Sequence, residues 1–207
     1  MKIVCLLLAA VFAASGQSVV SKEERKDGFK PLFNRNNLKQ WRGDTRLWRV
    51  NNGVIVGSTD DTQIFQNTFL IHKKEVGDFH LKLQAKLRNG NSGIQFRSEE
   101  LPDFVVRGLQ ADMAAGNWWG SIYDEKGKRG IIVNGWTGKA EKVVKAEEWN
   151  DYEILAKGDQ ITVKVNGVTT AELKDSTRLI GVLALQLHRG PGMKVYFRNL
   201  RIKRFRK

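Results

Sequence analysis

"FHLKLQAKLR", Phe79 to Arg88, alternates without a break. Phe79, Leu81, Leu83, Ala85 and Leu87 fall on one side of an extended chain, and His80, Lys82, Gln84, Lys86 and Arg88 on the other. A period of two predicts a strand with one face on a core and one in water. The same period runs through "ITVKVNGVTTAEL" from Ile161, where Ile161, Val163 and Val165 share a face. Asn166-Gly167 then supplies the positive φ that a tight hairpin turn requires. "LWRVNNGVIVGS" repeats the arrangement around Asn51-Asn52-Gly53. Further strands are predicted near residues 68–71, 92–98, 104–112, 120–123, 151–156, 181–188 and 193–203. No segment keeps a 3.6-residue period, and the chain holds only three Pro. Many short strands joined by Gly and Asn turns define an all-β sandwich of two antiparallel sheets.

The first residues read differently. Lys2 precedes the apolar run Ile3 to Ala14, and Ala14-Ser15-Gly16 offers small residues for cleavage before Gln17. That order is a secretory signal peptide over residues 1–17, so a secreted or periplasmic protein is expected. No later stretch approaches the roughly 20 apolar residues a spanning helix needs. The single cysteine, Cys5, lies inside the signal, so disulfides are not expected. Residues 18–27 are polar and read as a flexible leader, and residues 28–207 as one β-sandwich domain with a basic C-terminal tail, Arg201 to Lys207. The net charge of +13 is spread along alternating strands, which reads as a solvated basic face rather than a nucleic-acid site.

Alternation also places polar residues together. Gln95 and Arg97 oppose Ile94 and Phe96; Gln110 and Asp112 oppose Leu109 and Ala111; Gln186 and His188 oppose Leu183, Leu185 and Leu187. Three strands each present a polar pair at i and i+2. A solvated face mixes in Lys and Glu, as Phe79 to Arg88 does. Gln, Arg, Asp and His instead hydrogen-bond in fixed directions, which suits a site for many hydroxyls, although an ordinary polar face also produces such pairs.

These residues resemble a known family. "GFKPLFNRNNLKQW" (Gly28 to Trp41) resembles the opening motif of the 3-keto-disaccharide hydrolase domain, and "NGNSGIQFRS", "RGLQAD", "GSIYDEKGKRG", "EWNDYEILAKGDQITVKVNGV" and "LQLHRGPGMKVYFRNLRIK" resemble its later blocks in order. The match runs from Gly28 to Lys203. The resemblance implies a concanavalin A-like jelly roll with a carbohydrate on its concave sheet. It further implies cleavage of glycosides oxidised to a ketone at C3, by hydrolysis or by elimination. The same sandwich also serves non-catalytic lectins, so a carbohydrate-binding module is the alternative.

A ketone at C3 acidifies the C2 proton. Such chemistry needs a base near C2, a hydrogen-bonding or positive group at the C3 oxygen, and an acid at the glycosidic oxygen. Asp112 or His188 is the candidate base, Arg97 the enolate stabiliser, and Tyr123 or Glu125 the acid. Gln95, Gln110, Gln186, Trp118 and Trp119 are candidate substrate contacts. No cofactor is required by this chemistry; a divalent cation on Asp112, Glu125 and His188 is the less favoured option, because no His or Cys pair stands at metal spacing.

Other chemistries find no support. A retaining glucanase on this fold carries carboxylates roughly 5 Å apart in a Glu-x-Asp-x-x-Glu run, and none occurs. Asp124 and Glu125 are adjacent and point to opposite faces if that segment is extended, and Asp124 reads as a residue facing water. There is no Gly-x-Ser-x-Gly elbow and no phosphate loop. Bland roles remain for several residues: Trp41, Trp48 and Trp149 as core, Arg97 as an ion-pair partner of Asp112, His72 and His80 as surface or satisfied strand residues, and Asn91 and Gly93 as turn-formers. Trp118-Trp119 fit sugar stacking and packing equally.

Overall fold

The computed structural model describes residues 19–205, so the expected signal at 1–17 lies outside the described residues. One short helix, α1 (Lys22–Lys26), precedes fifteen strands. They are β1 (Lys30–Pro31), β2 (Trp41–Arg42), β3 (Trp48–Asn51), β4 (Val54–Ser58), β5 (Thr68–His72), β6 (Phe79–Leu87), β7 (Asn91–Leu101) and β8 (Val105–Ala114). There follow β9 (Ile122–Glu125), β10 (Ile131–Val133), β11 (Asn150–Lys157), β12 (Gln160–Val165), β13 (Val168–Lys174), β14 (Val182–Leu187) and β15 (Lys194–Arg204). One sheet runs β13-β12-β11-β6-β15-β4-β3 with β1 beside β15, and the other runs β10-β9-β8-β7-β14-β5-β2. Every strand pair is antiparallel. Among the described residues no helix is long and apolar enough to cross a membrane.

The alternation of β6 survives intact, with every odd-numbered residue from 79 to 87 buried and every even one half-buried. Its inward set meets Ile94, Phe96, Leu109 and Ala111 of the other sheet in one apolar cluster. Both expected hairpin turns have positive φ at Asn-Gly, 47° and 76° at Asn52-Gly53 and 47° and 83° at Asn166-Gly167. Those mirror-image turns match the twist of the strands they join.

The leader expectation needs correction. Ser21 caps α1 through a reciprocal capping box with Glu24, and Val20 is buried. Arg201 of β15 donates to both Glu24 carboxylate oxygens at 2.9 and 2.8 Å, and Lys203 reaches Asp27 at 2.5 Å. Polar composition alone suggested a loose segment; a cap and two ion pairs order it instead. The start of the basic C-terminal run is thereby the last strand, with two of its cations paired.

Trp149 also differs from its expected place. It is half-buried on the outer face of β15's sheet, its ring 4.0 Å from the Arg198 guanidinium and 5.7 Å from Lys86 Nζ. Trp41 and Trp48 are core residues as read. His72 is buried against the Lys74 backbone, and His80 lies 3.0 Å from Glu153.

Candidate active site

The sheet containing β7, β8, β9 and β14 turns one face to the core and the other outward. Leu109, Ala111 and Ile122 point in, so their strand neighbours Gln110, Asp112 and Tyr123 point out. Cross-strand register then aligns them: Ala184, Gln95, Gln110 and Tyr123 are successive partners across four strands, and Gly93 faces Asp112. The outward face is divided. Phe69, Ile71, Val106, Val182 and Ala184 form a buried apolar cluster on one part of it. Beyond Ala184 the same face opens into a cleft of about 270 Å³, lined by Asp112, Glu125, Tyr123, Gln110, Gln186 and His188, with Asn67, Asn91, Trp118 and Ile131 at its walls.

A chain of amides organises the cleft. Ser98 Oγ donates to Gln95 Oε1 at 2.6 Å, and Gln95 Nε2 donates to Gln110 Oε1 at 2.9 Å. The Gln110 amide is thereby oriented with its nitrogen outward, donating to Asp112 Oδ1 at 3.0 Å and to Gln186 Oε1 at 3.3 Å. Gln186 Nε2 passes the chain to Glu125 Oε2 at 3.1 Å, and Asn67 Nδ2 donates to Glu125 Oε1 at 3.1 Å. Two carboxylates are thus held apart and joined through two glutamines. Each amide uses both ends, so rotating one would break two bonds.

Glycine makes room for this arrangement. A Cβ on Gly93 would sit 2.3 to 2.7 Å from the Gln110 carboxamide, so Gln110 occupies the space a side chain would fill. Gly93→Ala is therefore expected to push Gln110 off Asp112 and Gln186. It should cost about 1–3 kcal/mol of stability from overpacking. Thermal melting checks this; an unchanged melting temperature would show that Gln110 moves aside freely.

The backbone under Asp112 is fixed from the other sheet. Tyr152 of β11 crosses the core, its hydroxyl donating to Asp112 O at 2.5 Å and accepting from Gly120 N at 2.6 Å. Burial pushes the phenol upward and keeps it neutral. Burial also dominates Asp112, whose carboxyl is pushed up to about 7 against the opposing hydrogen bonds from Gln110, the Met113 backbone and Asn91. Glu125 is raised for the same reason, with Asn67, His188, Lys126 and Gln186 pulling the other way. Tyr123 is raised by burial and then by Glu125 and Asp112. Two carboxyl groups kept from ionising readily suit proton transfer. His188 Nδ1 lies 2.5 Å from the Arg189 carbonyl, so that nitrogen is the donor.

Several expected site residues lie elsewhere. Arg97 is the main correction. β7 and β8 shift register between Phe96 and Glu99, and Arg97 sits at φ 48°, so the strand's alternation breaks there. Its side chain is fully buried and donates to Asp78 Oδ1 at 2.8 Å, Gly77 O at 3.2 Å and Gly158 O at 2.7 Å. It meets neither Asp112 nor the cleft. Gln95 is buried behind Gln110 and orients it without lining the cleft. Trp119 packs in the core, 6.1 Å from Tyr152, whereas Trp118, at φ 62°, forms part of the wall. The tandem tryptophans therefore split, one to each role. Asp124 does not face water: it is buried, and Arg129 Nε binds it at 3.1 Å.

Asn67 and Asn91 were missed as site residues. Asn91 reads as a turn, and Asn67 lies in a loop with no periodicity to aim it. Among the described residues no three Asp, Glu, His or Cys side chains gather as a metal site. Both Glu125 carboxylate oxygens accept amide hydrogens.

The fold is a jelly roll of the galectin and concanavalin A kind, with an outer cleft rich in amides and carboxylates and walled by one indole. A "putative glycosyl hydrolase" from Parabacteroides distasonis superposes with a TM-score of 0.69 at 24% identity, covering 90% of this chain and 98% of that one. The carbohydrate binding module CBM66 from Bacillus subtilis gives 0.63 at 16% identity, over 83% and 99%. A Bacillus licheniformis β-glucanase gives 0.57 at 10% identity, over 86% and 97%. At these identities the likeness is one of fold. No curated protein matches the sequence. The chain belongs to the 3-keto-alpha-glucoside-1,2-lyase-like domain family, whose profile matches residues 28–203.

Proposed function

We propose that the protein is exported and cleaves 3-keto-glycosides in this cleft, with Asp112 as base and Glu125 as acid. The observation that carries the reading is the Asp112 carboxyl, buried at the cleft floor and poised near pH 7, with Glu125 across two bridging glutamines.

The steps follow from the ketone. Ionised Asp112 takes the C2 proton, and the C–H electron pair forms an enolate between C2 and C3. The enolate pair then returns to form the C1–C2 double bond as the C1–O bond breaks. The departing oxygen takes its proton from Glu125. The unsaturated ketone either leaves as product or adds water across C1–C2, which separates elimination from hydrolysis. Arg97 being elsewhere, charge on the C3 oxygen falls to the donors that open on the cleft, with Asn91, 3.5 Å from Asp112, and Trp118 on its walls. Glu125 is chosen over Tyr123 because the phenol, raised further from an already high value, is the weaker acid.

Turnover of 3-keto-α-glucosides alongside their unoxidised parents tests the function. Release of the leaving group from the keto sugar alone supports it, while binding of both without turnover leaves the lectin-like alternative, which the likeness to a carbohydrate binding module favours. The pH–rate profile should be bell-shaped, because the reading needs one carboxyl ionised and the other protonated, with one limb near 7 where Asp112 titrates. Glu125→Gln should slow a substrate with a sugar leaving group by about 10²-fold and one with a nitrophenol leaving group far less, because the phenolate needs no proton. Equal losses on both would remove Glu125 from the acid role.

A further inference from the structure

The cleft continues past Glu125. Asn67, Tyr123, Glu125 and His188 line both it and a second hollow of about 360 Å³, whose remaining walls are Gln66, Lys126 and Arg189. The two halves differ sharply in charge. No Lys or Arg lines the first, although the chain carries 35 of them. The second holds two, and neither Lys126 nor Arg189 makes a salt bridge among the described residues.

Both cations stand on anchored backbone. Lys126 occupies φ 53°, a conformation that disfavours residues with a side chain, in a turn closed by Gly127 N donating to Asp124 O at 3.1 Å. Gly127 leaves room for the Asp124 carboxylate, which a Cβ there would meet and which Arg129 holds. Arg189 N donates to Asn67 Oδ1 at 3.0 Å, and its carbonyl takes the His188 bond. Asn67 in turn holds Glu125. The geometry thus fixes an orientation relative to the proposed chemistry. The proton donor to the leaving oxygen lies at the junction of the two halves, so the keto sugar occupies the amide-rich half and the leaving group the basic one.

We infer that the second hollow is a leaving-group subsite for an anionic sugar, one bearing a carboxylate or a sulfate, recognised by Lys126 and Arg189. This rests on the proposed cleavage for its orientation, though not for the existence of an anion site. Two cations lie in this groove outside any salt bridge, with Glu125 as its one acidic wall and already under the pull of Lys126, and they favour an anion through direct attraction that weakens with salt.

The test compares 3-keto-α-glucosides whose leaving sugar is glucose, glucuronate or glucose sulfate, on wild type and on the Lys126→Gln/Arg189→Gln variant. Wild type should favour one or both acidic leaving sugars over glucose by about 10- to 100-fold in kcat/KM. The carboxylate and sulfate arms show which anion is preferred. The ratio should collapse toward one in the variant and in 0.5 M salt. Equal efficiency on all three, or a preference that persists in the variant, overturns the inference while leaving the cleavage reading intact. If no keto sugar is turned over, the cleavage reading falls, and calorimetric binding of the unoxidised glucosides decides the subsite. Tighter binding of the acidic ones in wild type and not in the variant supports it, and equal binding removes it.

Discussion

Asp112→Asn is expected to lower kcat/KM on a 3-keto-glucoside by about 10²- to 10⁴-fold, the range a general base contributes, while making the folded protein more stable at pH 8. Asparagine keeps an oxygen for the Gln110, Asn91 and Met113 donors and loses only the basic lone pair. The stability gain follows from the raised carboxyl. The unfolded group ionises near 4 and the folded one near 7, so the native state holds more protons between those values and loses stability as pH rises through them. Above pH 7 the ionised side chain costs up to about 4 kcal/mol, and below pH 4 nothing. Melting of wild type and variant at pH 4 and pH 8 reads this directly. A melting difference that is the same at both pH values would mean the burial of Asp112 is not what raises it, and unchanged turnover would return the base role to His188.

Arg97→Ala is expected to act the opposite way, costing about 3–5 kcal/mol of stability without selectively removing catalysis. Truncation strips Asp78 of its buried partner and leaves the Gly77 and Gly158 carbonyls without a donor. At a temperature where the variant is folded, KM and the pH–rate profile should match wild type. A variant of normal stability with a large loss of kcat would restore Arg97 to the enolate role that its position in the sequence first suggested.

Arg97 also shows where strand alternation stops being informative. The inward and outward sets were legible where the pairing runs without a shift, as over residues 109–114 of β8 against β7 and 184–187 of β14 against β5. That regularity placed Gln110, Asp112, Tyr123, Gln186 and His188 on one cleft. β7 breaks register two residues after Gln95, and a bulge leaves no mark in a period-two count. Asn67 was illegible for a different reason: its aim comes from Glu125 and Arg189, residues 58 and 122 positions away. Gly93 reads as turn chemistry, yet its function is to leave a space for Gln110. Likewise the adjacent Trp118 and Trp119 part because the backbone takes positive φ at the first of them.

The clasp between α1 and β15 bears on how the chain tolerates being reconnected. Glu24 and Asp27 near the start of the described chain hold Arg201 and Lys203 near its end, and β1 pairs with β15 at Ile202 and Arg201. The two ends of the described chain therefore lie together on the sheet that does not carry the cleft. A circular permutant that joins them by a short linker and opens the chain at the Asn166-Gly167 hairpin would keep every cleft strand in place, so its binding site should survive a cut that reorders the whole sequence.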